Sequence, residues 1–376
     1  MTLSQRITQD PFSEPTKMLE GTLFASWLVG WYQVHKRSLP WRDTHDPYKI
    51  WLSEIILQQT RVSQGLPYYQ RFIEKYPVIQ DLAHADEEEI LRLWQGLGYY
   101  TRARNLHACA RTIVNELGGK FPGTYKALLQ LKGIGKYTAG AIASIAYKES
   151  VPAIDGNVYR VLARVFGVGE DIASTQGTKA FYALAQSLVP KKDADLYSQA
   201  IMEFGAIHCA PRNPKCKSCI FKAHCVAFHT GKQHMLPVKS KKTKIKQRFF
   251  HYFVIQDADK LYMKRRNDRD IWQGLYDFYL VEVSRPSTID RLEDALLLLI
   301  RRHKLSIVST PTPYQHVLTH QRLYVHFLHV QATAQFIQEA ASLLSQASIR
   351  AFTVNQTEEL PKPVLVDNFL KEKIYA

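Results

Sequence analysis

Leu131-Lys132-Gly133-Ile134-Gly135-Lys136-Tyr137-Thr138-Ala139-Gly140, followed by a short apolar stretch and then Pro152-Ala153-Ile154-Asp155-Gly156-Asn157, decides how this chain is read. Gly133 and Gly135 flank an aliphatic residue. That pattern lets a turn point several backbone N–H groups outward at the start of a helix, which makes a cradle for phosphate. A lone G-x-G more often only joins two helices. Here a carboxylate, Asp155, follows at the start of another helix. A phosphate grip beside a carboxylate points to chemistry on a nucleotide rather than to binding alone.

The rest of the composition agrees. The 376 residues suit two domains better than one. A formal charge of +15 and a pI near 9.4 point to a polyanion partner. No apolar run approaches the length of a membrane-spanning helix, so no membrane partner is expected. The stretch Met1 to Glu20 is polar and lacks the apolar core of a signal peptide, so a cytoplasmic location is expected, on the nucleoid if the source is bacterial.

Residues 20–225 are mostly helix-patterned. Lys239 to Arg248 holds six basic residues in ten and no apolar periodicity, which reads as a linker, either lying along phosphate or simply solvated. From Phe249 onward the pattern turns to strands: Phe249–Ile255, Leu275–Leu280 and Leu323–Val330 are aromatic and β-branched. Leu292 to Lys304 reads as a helix between them. The expected organisation is a mostly α region over 1–230, a basic linker over 231–248, and an α+β domain over 249–376.

Cys209, Cys216, Cys219 and Cys225 are spaced C-x6-C-x2-C-x5-C. In a cytoplasmic protein such a group is expected to ligate metal rather than form disulfides. Zinc and a [4Fe–4S] cluster both accept four thiolates, and spacing alone does not choose between them. Arg212, Lys215, Lys217 and Lys222 lie among the cysteines, as a phosphate grip or as ordinary surface charge. Cys109 stands alone and reads as an inert core thiol.

A second carboxylate completes the chemistry. Asp46-Pro47 reads as a helix N-cap followed by proline at the first helical position. In that helix Glu54 interrupts an apolar run, with Ile50 and Trp51 on its face. Such a carboxyl should have a raised pKa and act as an acid near neutral pH. Asp155, at a helix start, should be favoured as an anion by N–H groups and the helix dipole. Two carboxyls in opposed environments are the pattern for cleaving a glycosidic bond.

The hairpin and aspartate resemble the helix-hairpin-helix motif of base-excision DNA glycosylases. Trp51-Leu52-Ser53-Glu54-Ile55-Ile56-Leu57-Gln58-Gln59-Thr60, with Gly96-Leu97-Gly98-Tyr99-Tyr100-Thr101-Arg102-Ala103-Arg104-Asn105-Leu106, closely resembles the MutY family of adenine DNA glycosylases, in the endonuclease III superfamily. The resemblance covers about 205 residues of the N-terminal region. It implies a helix-hairpin-helix glycosylase fold whose cysteine loop, 209–225, holds [4Fe–4S]. It implies a monomer acting on double-stranded DNA with adenine opposite 8-oxoguanine or guanine. Glu54 would protonate adenine N7, and Asp155 would stabilise the cationic sugar, supported by Asn157 and Tyr137. Gln59, Thr60 and Tyr99 would face the 8-oxoguanine, and Arg42 and Gln199 would line the adenine pocket. The base would be flipped from the stack.

Trp272-Gln273-Gly274-Leu275-Tyr276-Asp277-Phe278 resembles the 8-oxoguanine-reading domain of that family, which is related to Nudix hydrolases. The glutamate-rich Nudix helix is missing, with only Glu293 and Asp294 in Arg291 to Lys304, so pyrophosphate hydrolysis is not expected. The family's Phe-Ser-His loop stands here as Leu318-Thr319-His320. Tyr137 occupies the position where endonuclease III-type lyases carry the lysine that attacks the sugar, and Tyr159 stands where some relatives carry another lysine. Two other readings remain: a bifunctional glycosylase/lyase, and a non-catalytic iron–sulfur DNA-binding protein.

Overall fold

The structure is a computed structural model that describes residues 20–240, 245–310 and 312–375. The described residues form two compact units, residues 20–58 with 115–240, and residues 59–114 with 245–310 and 312–375.

The first unit is helical. Its principal helices are α1 (Gly21–His35), α2 (Pro47–Leu57), α3 (Lys136–Tyr147), α4 (Gly156–Phe166) and α5 (Ala194–Ile207). Asp46 caps α2 as the sequence predicts: its side chain accepts from the Tyr48 N–H at 2.9 Å, and Pro47 opens the helix. Gly135 is the N-cap of α3, and Gly133 before it has φ +80°, a conformation glycine adopts without strain. α5 packs against α1, α3 and α4, while α2 packs on α3. Gly205 lets α5 approach α4 closely. A Cβ there would lie 2.7 Å from Asn157 Cβ and 2.9 Å from Asn157 O. Trp51, Leu52, Ile56, Phe204 and Phe221 are fully buried in this core.

The second unit joins the helices Val62–Lys75, Ile79–His84 and Glu87–Leu93 to a mixed eight-stranded sheet. The strands are β1 (Lys246–Asp257), β2 (Lys260–Arg265), β3 (Tyr276–Asp277), β4 (Tyr279–Val283), β5 (Ile307–Ser309), β6 (Tyr314–Val317), β7 (Gln321–Gln331) and β8 (Arg350–Thr353). The main path runs β3-β2-β1-β7-β5, with β4 on β1, β6 on β7 and β8 on β2. β1 and β7 pair in parallel from Lys246↔Gln321 to Gln256↔Gln331, and the other pairs are antiparallel. Both faces of β1 are covered from Phe250 to Ile255, so its centre reads as a near-continuous apolar run, whereas burial along β7 largely alternates. Phe253, Ile255, Leu328 and Val330 pack with α6 (Ala295–Arg302) and α7 (Ala334–Gln346). On the opposite face Phe327 stacks on Phe369 of Val364–Lys373 at 4.1 Å.

Two details differ from the sequence reading. β1 starts at Lys246, within the stretch expected to be linker. Arg248 enters the strand because Asp270 and Glu282 neutralise it. Lys241 to Lys244, the centre of that basic stretch, lie outside the described residues. The helix expected over Leu292 to Lys304 is shorter, because Asp294 caps it, accepting from Leu296 N at 2.9 Å and Leu297 N at 3.3 Å.

Candidate active site

Helix α2 carries Glu54 into a buried position beside Ile50 and Trp51, and the residue is only 9% exposed. Tyr137, in the first turn of α3, donates its hydroxyl to Glu54 Oε2 at 2.5 Å and also contacts Met202 Sδ at 3.3 Å. Burial pushes the Glu54 carboxyl up from 4.5 to about 7; the Tyr137 bond and the Arg42 charge pull it down, and the Asp155 charge adds to the rise. The buried, raised carboxyl expected from the sequence is found at Glu54, bonded to a phenol.

Asp155 caps α4. It accepts from Asn157 N at 2.9 Å, Val158 N at 2.8 Å and Asn157 Nδ2 at 2.6 Å. These are the bonds expected to favour the anion. Their sum is not as expected, because burial outweighs them and holds the carboxyl above its ordinary 3.8. Both carboxyls are thus raised, and the environments differ in hydrogen bonding rather than in the direction of the shift.

Arg42 and Gln199 come together in the same unit. Arg42 Nη1 donates to the Tyr32 hydroxyl and to Gln199 O, both at 3.3 Å, and Nη2 donates to Glu203 Oε2 at 3.0 Å. The Tyr32 hydroxyl donates to Gln199 Oε1 at 3.0 Å. Glu203 is 1% exposed and also takes Arg37 in a two-pronged pair at 2.6 and 2.8 Å. Burial alone would raise this carboxyl, but the two arginines hold it below 4.5. Glu203 was missed in the sequence, although it carries the same signal as Glu54: an acid inside an apolar helix, Ala194–Ile207.

Arg160 and Arg164, one turn apart on α4, were also missed. They are paired cations in an otherwise apolar helix, Gly156–Phe166. Arg160 Nη2 donates to Asn157 Oδ1 and to Gly205 O, both at 2.7 Å, and its Nε donates to Cys209 O at 2.8 Å. Arg164 Nη1 donates to Ala210 O at 2.8 Å and lies 3.5 Å from Cys209 Sγ. Helix α4 therefore holds the aspartate cap at its start and the cysteine loop along its side.

Burial pushes the Cys216, Cys219 and Cys225 thiols up, Cys219 to about 12, and each is raised further by neighbouring cysteine sulfurs, Cys209 among them in every case. The four sulfurs thus lie within electrostatic reach of one another. The Phe221 N–H also points at Cys219 Sγ at 3.4 Å. Thiols held up in this way need a cation before they become thiolates, and four soft donors suit a thiolate-bound metal centre. Among the described residues, no three of His, Cys, Asp or Glu converge on a single ion-sized point, so the fit rests on donor chemistry and mutual proximity. Cys109 is fully buried and its thiol is pushed up to about 12, which leaves it inert.

The remaining site candidates lie in the second unit. Gln59 is exposed with φ +57°, and Tyr99 is 45% exposed with φ +49°. Non-glycine residues hold that conformation only where their surroundings fix it, often at functional sites. Thr60 accepts from Arg102 Nη2 at 3.4 Å. Thr319 and His320 sit exposed in the turn joining β6 to β7. The Tyr99 and Thr319 hydroxyls are hydrogen-bonded to each other. A cavity of about 340 Å³ is lined by Tyr99, Arg104, Trp272, Leu318, Thr319 and His320, among others. Gln59 and Thr60 do not line it.

Residues 52–191 match the model of the HhH-GPD superfamily base excision DNA repair proteins, and residues 251–372 match the NUDIX domain. Among solved structures, a thermostable thymine-DNA glycosylase aligns at 33% identity with a TM-score of 0.52, over 56% of this chain and 97% of that one. Fold and site thus define a helix-hairpin-helix base-excision glycosylase, a hydrolase of N-glycosyl bonds. The adenine DNA glycosylase of Buchnera aphidicola subsp. Schizaphis graminum is 32% identical over 299 residues, covering 79% of this chain and 86% of that protein. The human adenine DNA glycosylase is 45% identical over 227 residues, covering 58% of this chain and 41% of the human one. The chain belongs to the adenine DNA glycosylase family. Among the described residues, no helix is long and apolar enough to cross a membrane.

Proposed function

We propose that this chain is a monofunctional glycosylase that flips adenine out of duplex DNA where it is mispaired with 8-oxoguanine, or with guanine, and so starts base excision repair. The observation that carries this reading is the buried Glu54 carboxyl, raised to about 7 and bonded to a phenol where a lyase would carry an amine. Glu54 passes its proton to adenine N7. The C1′–N9 bond then breaks, its electron pair leaves with the base, and the sugar becomes cationic. The Asp155 anion, which its three cap bonds favour, stabilises that cation until water adds at C1′ and loses a proton. Asn157 and Tyr137 keep the two carboxyls in place, and Arg42 and Gln199 line the adenine pocket. Gly133 and Gly135 offer N–H groups to backbone phosphate.

The helical glycosylase domain is taken as 1–230, and the reading domain is taken to start with β1 at Lys246, which leaves 231–245 as the basic linker. In the reading domain, Thr319 and His320 contact 8-oxoguanine together with Tyr99, Gln59 and Thr60. The shared Tyr99–Thr319 cavity supports this assignment for Tyr99, Thr319 and His320, which line it, and not for Gln59 or Thr60. Cys209, Cys216, Cys219 and Cys225 would hold a [4Fe–4S] cluster, which when bound supplies iron–thiolate bonds that tie the loop together. We take the protein to act as a monomer in the cytoplasm, on the nucleoid if bacterial.

The test is single-turnover incubation with a duplex holding one adenine:8-oxoguanine pair, followed by hot alkali. Adenine release with strand scission only after alkali supports the proposal. Glu54→Gln should slow release by at least about a hundredfold, the scale of a lost general acid. Near wild-type release by that variant refutes it, and alkali-independent scission favours a lyase.

A further inference from the structure

The cavity shared by Tyr99 and Thr319 is lined by three segments: Leu97 to Thr101 with Arg104, Asp270-Ile271-Trp272, and Val317 to Gln321. Trp272 holds φ +62°, a left-handed conformation that a bulky side chain adopts only under constraint. The constraint is visible. Arg266 Nε donates to Ile271 O at 3.1 Å, Gly274 N donates to Arg266 O at 2.7 Å, and Leu275 N donates to Trp272 O at 3.0 Å.

Arg248, on β1, connects the Asp270 and Gln321 walls. Its Nη1 and Nη2 grip both Asp270 oxygens at 2.8 and 2.7 Å, and Nη1 also donates to Gln321 Oε1 at 3.2 Å. A second fork, at 2.7 and 2.6 Å, holds Glu282 on β4, which is not part of the cavity lining. Two residues before Arg248, Lys246 N donates to His320 O at 2.9 Å. The guanidinium is 7% exposed as part of its residue and has no free edge for DNA. We infer that Arg248 is a positioning residue for lesion recognition, setting the width of the cavity by tying the Asp270 wall to the Gln321 wall. The inference rests on the proposed role of that cavity in reading 8-oxoguanine. A lysine in its place carries the charge but cannot fork onto two carboxylates and an amide together.

Single-turnover excision on adenine:8-oxoguanine and adenine:guanine duplexes tests it, with thermal unfolding run on every variant. Arg248→Lys and Asp270→Asn should each reduce the preference for the 8-oxoguanine duplex by about tenfold, the scale of one lost charge-assisted bond. Gln321→Leu removes only the neutral partner, so it keeps the test alive if a charge variant unfolds, and it should act in the same direction. Glu282→Gln removes a carboxylate from the same arginine outside the cavity and should leave the preference unchanged. An equal loss from Glu282→Gln and Asp270→Asn would reduce Arg248 to a plain structural role and overturn the inference. So would unchanged preference in Asp270→Asn and Gln321→Leu while Thr319→Ala with His320→Ala loses it. If that last pair keeps full preference, the lesion reading itself fails.

Discussion

Replacing Tyr137 by phenylalanine should make Glu54 a weaker acid and move the pH profile in a defined direction. The ring stays and the hydroxyl leaves, so the 2.5 Å bond to Glu54 Oε2 is lost. That bond favours the carboxylate, and it opposes the burial that raises Glu54 to about 7. A hydrogen bond to a charged group contributes about 1.5–3 kcal/mol. At about 1.36 kcal/mol per pKa unit, Glu54 should rise by about one to two units. On the proposed mechanism the proton is needed on Glu54, so wild-type excision should fall as pH rises through about 7. In Tyr137→Phe that alkaline limb should sit about one to two units higher. The phenol does not confuse the reading, because burial and then the Glu54 charge raise Tyr137 well above 10, and it stays neutral throughout. Single-turnover rates between about pH 5 and 9.5 measure the limb, with duplex affinity checked at each pH. A limb that stays in place, or moves down, refutes the assignment of Glu54 as the titrating acid.

The same shift has a consequence for stability, testable in Glu54→Gln. A carboxyl raised on folding from 4.5 to about 7 costs nothing below 4.5 and costs fully above 7, about 3 kcal/mol at 1.36 kcal/mol per unit. The glutamine variant should therefore melt higher than wild type at pH 8 and equally at pH 4; the reverse order would contradict the burial argument. Asp155→Asn should abolish adenine release while keeping duplex affinity, measured by anisotropy; an active variant would move the site elsewhere. Gly205→Ala should cost about 1–3 kcal/mol and slow excision, because the added Cβ meets Asn157 Cβ at 2.7 Å and the Asn157 backbone O at 2.9 Å; unchanged rate and melting would show that α4 can shift freely. Iron and sulfide should copurify at about four each, and Cys219→Ser should lose folded protein as well as iron; zinc after anaerobic purification would overturn the cluster.

What could be read from the sequence was local. The Asp46-Pro47 start of α2 and the aspartate cap of α4 need only neighbours in the chain, and both stand as expected. Glu54 was legible because its apolar neighbours lie within one helical turn. The net state of Asp155 was not, because its burial comes from elements distant in sequence, and burial decides the shift. Glu203 illustrates the same limit from the other side: its partners Arg37 and Arg42 lie more than 150 residues away, at separations of 166 and 161. The division into units was also beyond local pattern. Gln59–Val114 reads as helix like its surroundings, yet its contacts are with the C-terminal residues. Arg265 bonds Glu87 at 2.8 Å, Tyr276 bonds Glu88 at 2.8 Å, and Arg104 bonds Gln273 O at 2.6 Å. Cutting the chain after Arg248 would strip these partners from Gln59–Val114. Point changes are therefore the cleaner probe of lesion reading.

In the proposed mechanism, the residue at position 137 links the acid to the lack of lyase chemistry. A lysine ammonium in the place of the phenol would add a positive charge within hydrogen-bond reach of Glu54. As the Arg42 charge already lowers Glu54, so that charge would draw the carboxyl back below neutrality. The acid would lose its proton at working pH. The carboxylate would in turn hold the lysine protonated, so the amine would not be free to attack the sugar. A strong acid–base pair would replace a weak acid bonded to a neutral donor. Tyr137 avoids this, because its hydroxyl orients Glu54 and its neutrality leaves the proton there. On the proposed mechanism, protonation of the leaving adenine and amine attack on the sugar therefore make opposed demands on this one position, and Tyr137→Lys should lose base release opposite 8-oxoguanine even if it gains some strand cutting at preformed abasic sites. Comparing that variant on adenine-containing and abasic duplexes separates the two activities; full adenine release by Tyr137→Lys would show that Glu54 does not depend on a neutral neighbour.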